Sequence, residues 1–138
     1  MSEARQFCTF RLGDRCFGID VLEVQEVIRA QPMTRVPLAP AVVRGLMNLR
    51  GRVVTALDLR RRFGLPDGPD DPVNVVVSTD DGAISLLVDD VGDVLTLSAE
   101  AFEPVPDTLA GVARELVRGV YKLDDQLLLV LDTARAVA

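Results

Sequence analysis

Short alternating runs of apolar and polar residues dominate the chain and predict an all-β protein. The first two runs cover residues 7–12 and 15–20, and the intervening Gly13 and Asp14 suit a two-residue turn with positive φ. This hairpin places Cys16 on one face of the ribbon and Cys8 on the other, so no disulfide is expected between them. We expect the buried face to carry five apolar side chains: Cys8, Phe10, Leu12, Phe17 and Ile19.

The next segments mix helical and extended patterns. Residues 21–29 have apolar positions at helical spacing, which indicates a short helix or a helix that runs into a strand. Three prolines, Pro32, Pro37 and Pro40, predict an extended connection. Strands are then expected at 43–49 and 52–57, with Asp58 capping a helical segment over 59–63.

The second half follows the same plan after residues 65–72, which are rich in proline and glycine and predict a linker. Further strands are expected in five places, followed by a short helix at the C-terminus. These strands cover residues 73–78, 83–88, 91–97, 116–123 and 126–131.

An internal repeat accompanies this plan. Val43-Arg44-Gly45 recurs as Val117-Arg118-Gly119, and Asp58 recurs at the same spacing as Asp132. We interpret residues 1–138 as one domain that is duplicated over approximately 7–69 and 70–138. Glycine weakens a strand unless a close approach requires it, so Gly45 and Gly119 are predicted to be structural. Each aspartate follows a strand, so capping is favoured over a catalytic carboxylate pair.

Composition removes several kinds of active site. Only 4% of the 138 residues are aromatic while 49% are hydrophobic, so the core must be aliphatic. The absence of histidine excludes imidazole bases, imidazole zinc ligands and a phosphorylated histidine. Two cysteines are too few for a thiolate metal site, and no calcium-binding or phosphate-binding loop occurs. We therefore expect no cofactor and no metal, and an enzyme of this composition would need carboxylates, lysine or cysteine.

Charge is unevenly distributed. Residues 1–69 hold eleven arginines and seven acids, whereas residues 70–138 hold four basic residues and fourteen acids, giving a net charge of −6. This balance argues against nucleic acid binding, and the run Arg60-Arg61-Arg62, without interleaved aromatic residues, predicts a solvated face. No segment resembles a signal peptide or a membrane span. A soluble cytoplasmic protein with reduced thiols and no membrane insertion is expected.

Several spaced motifs carry a family resemblance. Residues 34–40, 43–51 and 57–60, with Val24-Gln25-Glu26-Val27 and Val88-Asp89-Asp90-Val91, resemble the signature of the CheW family of chemotaxis coupling proteins. The similarity extends over about residues 7–135. It implies two intertwined five-stranded SH3-like β-barrels with short helices. It also implies a non-catalytic adaptor that links chemoreceptor cytoplasmic tips to the regulatory domain of the histidine kinase CheA, in membrane-associated receptor arrays.

The same resemblance assigns binding residues. It implies that Val24 and Glu26 on the short helical stretch, Arg50 and Val94 contact the receptor, and it makes Val73 a candidate for the kinase. Arg50 stands beside Gly51, where the chain can turn tightly, and its guanidinium is a rigid fork of donors. We therefore hypothesise that Glu26 contacts and orients Arg50.

Two alternative functions remain open from the sequence. One is a coupling module for a different histidine-kinase pathway, and the other is a small carboxylate-dependent enzyme. The chain also departs from the family pattern at Thr55, where many members have proline, and this change adds a backbone donor to the strand.

Overall fold

The computed structural model describes residues 3–138, which form ten strands, three short α-helices and two 3₁₀ turns. The strands are β1 (Ala4–Leu12), β2 (Arg15–Asp20), β3 (Val24–Ile28), β4 (Val43–Leu49), β5 (Arg52–Asp58), β6 (Val73–Thr79), β7 (Gly82–Val88), β8 (Asp90–Ser98), β9 (Val117–Lys122) and β10 (Leu127–Leu131). The helices are α1 (Leu59–Arg62), α2 (Gly111–Leu116) and α3 (Thr133–Val137), and the 3₁₀ turns cover Val21–Glu23 and Ala99–Ala101.

The strands form two five-stranded sheets with the same internal plan. The first sheet has the order β8-β1-β2-β10-β9, and the second has the order β3-β6-β7-β5-β4. Each contains one parallel contact, β2 with β10 and β5 with β7, between antiparallel pairs. Each sheet also takes strands from both sides of the 65–72 segment, so the two halves of the chain are interleaved. The predicted class, an all-β fold with intertwined sheets and short helices, is confirmed.

The first hairpin has the predicted register, with Phe10 opposite Phe17 and Cys8 opposite Ile19. Gly13 in its turn has a φ of 63°, which glycine adopts without strain. Both cysteines are free and buried. The prediction of one buried face was incomplete, because Cys16 packs into a second apolar cluster on the opposite face of the ribbon.

The main core lies between the two sheets. It packs Phe10 and Phe17 of the first sheet against Val75 and Leu86 of the second, all with no exposed surface. Smaller clusters occupy the other face of each sheet, around Tyr121 in the first and around Met47 in the second. Burial of aliphatic side chains on both faces explains why so few aromatic residues suffice.

The structure selects between two predicted alternatives for one segment and contains one helix that was not predicted. Residues 21–29 follow the second of the two alternatives, a 3₁₀ turn that leads into a strand. Asp20 caps this turn, because its side chain accepts a hydrogen bond from the backbone N–H of Leu22 at 2.9 Å. The helix α2 was not predicted. Among residues 3–138, no helix has the length and apolar character that a membrane span requires.

Candidate functional site

Val24 and Glu26 lie on the edge strand β3, so their predicted helical placement was wrong. The β-branched residues of this segment favour extended backbone, and pairing with β6 places Val24 opposite Val77 and Glu26 opposite Val76. A register shift between the two pairs interrupts the strand. Val24 and Glu26 are both partly buried, whereas Gln25 between them is exposed.

Arg50 and Gly51 form the two-residue turn between β4 and β5. Their φ angles are 55° and 85°, and positive φ at both positions matches the twist of a tight hairpin. The conformation costs roughly 1 kcal/mol for a residue with a Cβ such as Arg50. The Asn48 side chain accepts a hydrogen bond from the Gly51 N–H at 2.8 Å and so closes the turn.

The hypothesised contact between Glu26 and Arg50 is present. Arg50 Nη1 donates to Glu26 Oε2 at 2.7 Å, with 74% of the arginine side chain and 21% of the glutamate side chain exposed. The other carboxylate oxygen, Glu26 Oε1, is buried without a hydrogen-bond partner in the described residues. A largely buried carboxylate therefore holds one nitrogen of a guanidinium on a mostly exposed arginine side chain.

Val94 belongs to the first sheet, on its edge strand β8. It lies opposite Cys8 and is 51% exposed. Val94 pairs with β1 and Val24 pairs with β6, which are the first strands of the β1–β2 and β6–β7 hairpins. The structure thus brings Glu26 and Arg50 into direct contact, keeps Val24 on the same strand, and carries Val94 on the corresponding strand of the other sheet.

Val73, the kinase candidate, is the first residue of β6 and pairs with Val88. Its side chain is partly buried and packs against the main core. Only part of its surface is therefore available to a partner.

Gly45 and Gly119 sit where another segment crosses their strand. A Cβ on Gly45 would lie 2.7 Å from the backbone oxygen of Thr34, and one on Gly119 would lie 2.5 Å from that of Glu103. Thr34 and Glu103 form isolated bridges with the residues that follow these glycines, Leu46 and Val120. Close backbone approach is therefore the reason for glycine at both positions.

Asp58 and Asp132 cap α1 and α3 as predicted. Their side chains accept hydrogen bonds from the N–H groups of Arg61 and Arg135, at 3.3 Å and 3.2 Å. Each carboxylate also faces two guanidinium groups, which sequence reasoning missed. The ion pairs are Arg44–Asp58 at 3.3 Å, Arg61–Asp58 at 3.6 Å, Arg118–Asp132 at 3.9 Å and Arg135–Asp132 at 3.6 Å.

The arginine run on α1 is not the solvated face that we predicted. Arg60 forms a two-point ion pair with Asp89, which also accepts a hydrogen bond from the Gly13 N–H at 2.7 Å. The hydrogen bond to Arg60 lowers the pKa of Asp89, and the same contact raises the pKa of Arg60. Arg62 donates to the backbone oxygen of Ala136 at 3.1 Å. Arg60 therefore connects α1 to the junction of β7 and β8, and Arg62 connects α1 to α3.

The remaining reactive groups do not form a catalytic arrangement. Burial raises the pKa of both thiols, which disfavours the nucleophilic thiolate, although Arg11 opposes this effect at Cys16. No group of three or more potential metal ligands occurs within residues 3–138. The arrangement on β3 and the β4–β5 turn presents one oriented cation beside apolar side chains, which suits recognition of another macromolecule.

Comparison with known proteins identifies the protein family of this chain. A family model described as "CheW-like domain" matches residues 6–138. "Chemotaxis protein CheW" from Treponema pallidum is 30% identical over 136 residues, covering 94% of this chain and 80% of that protein. The protein of the same name from Klebsiella aerogenes is 33% identical over 136 residues, covering 97% of this chain and 82% of that protein.

A solved structure agrees in fold over a similar length. The scaffolding protein TtCheW from Thermoanaerobacter tengcongensis matches with a TM-score of 0.86 at 26% identity, covering 94% of this chain and 90% of that one. CheW-like proteins are adaptors without enzymatic activity. The chain therefore belongs to the CheW-like domain family and is a non-catalytic coupling adaptor of chemotaxis signalling.

Proposed function

We propose that this adaptor couples the cytoplasmic tip of a chemoreceptor to the regulatory domain of the histidine kinase CheA. The receptor would bind a surface formed by Val24, Glu26, Arg50 and Val94, called the receptor face below. Val73 would contribute to kinase binding. The protein would work in the cytoplasm at membrane-associated receptor arrays.

The Glu26–Arg50 ion pair is the observation that carries the receptor assignment. A 2.7 Å contact orients a guanidinium that is otherwise 74% exposed. Glu26 occupies only one of its donors, and the others suit carboxylate or carbonyl oxygens on a partner. Receptor tips are helical hairpins, and helices commonly dock through apolar residues with a few polar anchors. Val94, which is half exposed, supplies an apolar contact of this kind.

Charge reversal tests the receptor face. We expect Arg50→Glu to abolish measurable binding of a receptor tip fragment, because the substituted carboxylate repels both Glu26 and the acceptors that Arg50 serves. Arg52→Glu is the matched control, since Arg52 is an exposed arginine in the same hairpin without an ion pair in the described residues. Calorimetric titration of both variants, with unfolding midpoints as a check on folding, measures the effect. Unchanged receptor binding by Arg50→Glu would refute the assignment.

The kinase assignment needs a separate measurement. Val73→Thr nearly preserves volume while adding a hydroxyl, so it should weaken binding of the CheA regulatory domain and leave receptor binding intact. The same titrations with each partner distinguish the two surfaces. Equal binding of CheA by wild type and Val73→Thr would remove Val73 from the kinase surface.

Localisation gives an independent test in cells. A fluorescent fusion of the wild-type chain should form membrane-associated clusters, and the Arg50→Glu fusion should remain diffuse. Clusters formed equally by both fusions would show that array recruitment does not depend on the receptor face.

A further inference from the structure

Arg50 has a backbone conformation that arginine adopts only at a cost in free energy. Its φ of 55° lies in the left-handed region, where the Cβ atom crowds the following carbonyl oxygen. Tight hairpin turns with positive φ at both central residues favour asparagine, aspartate or glycine at the first of them. Arg50 stands at this first position, and Gly51, with a φ of 85°, stands at the second. An arginine where a smaller residue would ease the turn indicates that the guanidinium is needed at the tip.

The side chain of Asn48 holds this turn in place. Its Oδ1 accepts a hydrogen bond from the Gly51 N–H at 2.8 Å. Asn48 lies on β4 opposite Val53, one pair before the Leu49–Arg52 pair that flanks the turn. The residue is exposed, so its side chain is not needed to fill the core. Its one side-chain hydrogen bond to the protein therefore serves the backbone of the turn.

The turn sets the position from which Arg50 reaches Glu26. Arg50 Nη1 donates to Glu26 Oε2 at 2.7 Å, and Glu26 is on β3, at the opposite edge of the second sheet from β4. Without the bond from the Gly51 N–H to Asn48, the tip would be free to adopt other turn conformations, because arginine is more stable at negative φ. Asn48 therefore fixes the backbone next to Arg50, and Glu26 fixes its guanidinium.

We propose that Asn48 is a positioning residue for receptor recognition and that it acts through Arg50. The proposal rests on the receptor face assigned above. In this role Asn48 does not contact the receptor. It keeps the turn in the conformation from which the guanidinium can bind, and the apparent affinity falls in proportion when fewer molecules hold that conformation.

Substitutions of Asn48 test this role by calorimetric titration with a receptor tip fragment. Asn48→Ala removes the acceptor and should weaken binding roughly five- to tenfold, the effect expected for loss of one hydrogen bond. Asn48→Asp keeps an acceptor for the Gly51 N–H and should bind within about twofold of the wild type. Thr79→Ala is the matched control, because Thr79 Oγ1 accepts from the Asp81 N–H at 3.2 Å in the β6–β7 turn of the same sheet. It should leave receptor affinity unchanged.

Two further measurements distinguish positioning from direct contact. In an Arg50→Gln background, Asn48→Ala should cost no further affinity, whereas a residue that touches the receptor would give an additive loss. Solvent exchange of the Gly51 amide proton, measured by NMR, should be faster in Asn48→Ala and close to the wild-type rate in Asn48→Asp.

The outcomes separate this proposal from the receptor assignment. Wild-type affinity of Asn48→Ala, an additive loss in the Arg50→Gln background, or equal weakening by Asn48→Ala and Thr79→Ala overturns the positioning role. If Arg50→Glu abolishes receptor binding while Asn48→Ala binds like the wild type, only the positioning role is refuted. If Arg50→Glu itself binds the receptor normally, the receptor face is wrong and the positioning role falls with it.

Discussion

The unit of β4, β5 and α1 is directly comparable with the unit of β9, β10 and α3, because their strands have equivalent places in the two sheets. Both have a glycine where another backbone segment crosses the first strand, an aspartate that caps the helix, and two arginines around that aspartate. These residues are Gly45, Asp58, Arg44 and Arg61 in one unit and Gly119, Asp132, Arg118 and Arg135 in the other.

The two units differ at the turn between their strands. Arg50 and Gly51 make a tight turn in the first unit, whereas residues 123–126 connect β9 to β10 and close with a hydrogen bond from Leu123 N–H to Gln126 oxygen at 2.8 Å. The neighbouring edge strands differ too. Glu26 lies opposite Val76, three residues before the end of β6, whereas the residue at that place in β1, Thr9, falls in the register shift with β8 and donates to the Asp93 backbone oxygen instead. An ion pair like Glu26–Arg50 cannot form there, because residues 123–126 contain no basic side chain.

The helices differ as well. Arg60 in α1 pairs with Asp89, but the corresponding residue of α3 is Ala134. Asp20, the last residue of β2, caps a 3₁₀ turn, whereas Asp89 directly follows the equivalent strand β7. The residues shared by both units therefore maintain the framework. The residues found in one unit alone supply the oriented Arg50 guanidinium and one additional ion pair, Arg60–Asp89.

The largest expected effect tests the shared part of the framework. Gly45→Ala and Gly119→Ala should each lower the free energy of unfolding by about 3 kcal/mol, because the added methyl meets a backbone oxygen that is held by bridge hydrogen bonds. Urea unfolding measures both. A loss confined to one variant would show that the two crossings are not equivalent.

The Arg60–Asp89 pair should produce the next largest effect, in one unit only. Arg60→Gln should cost about 2 kcal/mol at neutral pH, since it removes charge-assisted hydrogen bonds between largely buried side chains. The folded pKa of Asp89 lies below its unfolded value. The pair therefore stabilises the fold above about pH 4 and loses this contribution as the pH falls through the folded pKa.

Unfolding midpoints measured across the acidic range check this sign. The wild type should lose more stability on acidification than Arg60→Gln, whereas Arg15→Gln, a charge-matched control, should follow the wild type. Parallel curves for wild type and Arg60→Gln would contradict the role of the pair.

Removal of the helix caps should have a moderate effect in both units. Asp58→Ala and Asp132→Ala should each cost about 1 to 2 kcal/mol, because a backbone N–H loses its acceptor and two arginines lose their partner. Asp→Asn variants keep the cap and separate it from the charge. Thermal unfolding is the measurement, and Asp→Asn variants as unstable as Asp→Ala would show that the ion pairs outweigh the caps.

The smallest stability effect is expected at the Glu26–Arg50 pair. Most of the arginine side chain is exposed, so a double-mutant cycle with Glu26→Gln and Arg50→Gln should give a coupling below about 1 kcal/mol. If these variants lose receptor binding but keep the stability of the wild type, the pair serves recognition of the receptor and not maintenance of the fold. A coupling of several kcal/mol would instead make the pair part of the framework.

Local patterns predicted much of the fold. The hairpin register, the helix caps and the glycine crossings depend on turn residues, capping side chains and repeated spacing, all of which are visible in the sequence. The contact between Glu26 and Arg50 was hypothesised only after the family resemblance had singled out both residues, because a guanidinium pairs readily with a carboxylate. The internal duplication stays a prediction, which the common plan of the two sheets supports.

Long-range contacts account for what was missed. The apolar residues of this segment have helical spacing, but pairing with β6 favours a strand over Val24–Ile28. Arg60 looked solvated because its partner Asp89 lies in another part of the chain. The helix α2 is short and leads directly into β9, and the predicted strand 116–123 included only its last residue, Leu116. A cavity on the first sheet collects residues from both ends of the chain, among them Phe7 and Val130, and has no local signature in the sequence.

Interleaving of the sheets has a consequence for a cleaved molecule. The 65–72 segment connects β5 and α1 to β6, and the strands on either side of it pair with one another in both sheets. A protease cut within this segment would therefore leave two fragments that remain hydrogen-bonded together. Residues 1–69 and 70–138, produced as separate polypeptides, would have to find each other to fold, which makes the fold a natural split-protein scaffold.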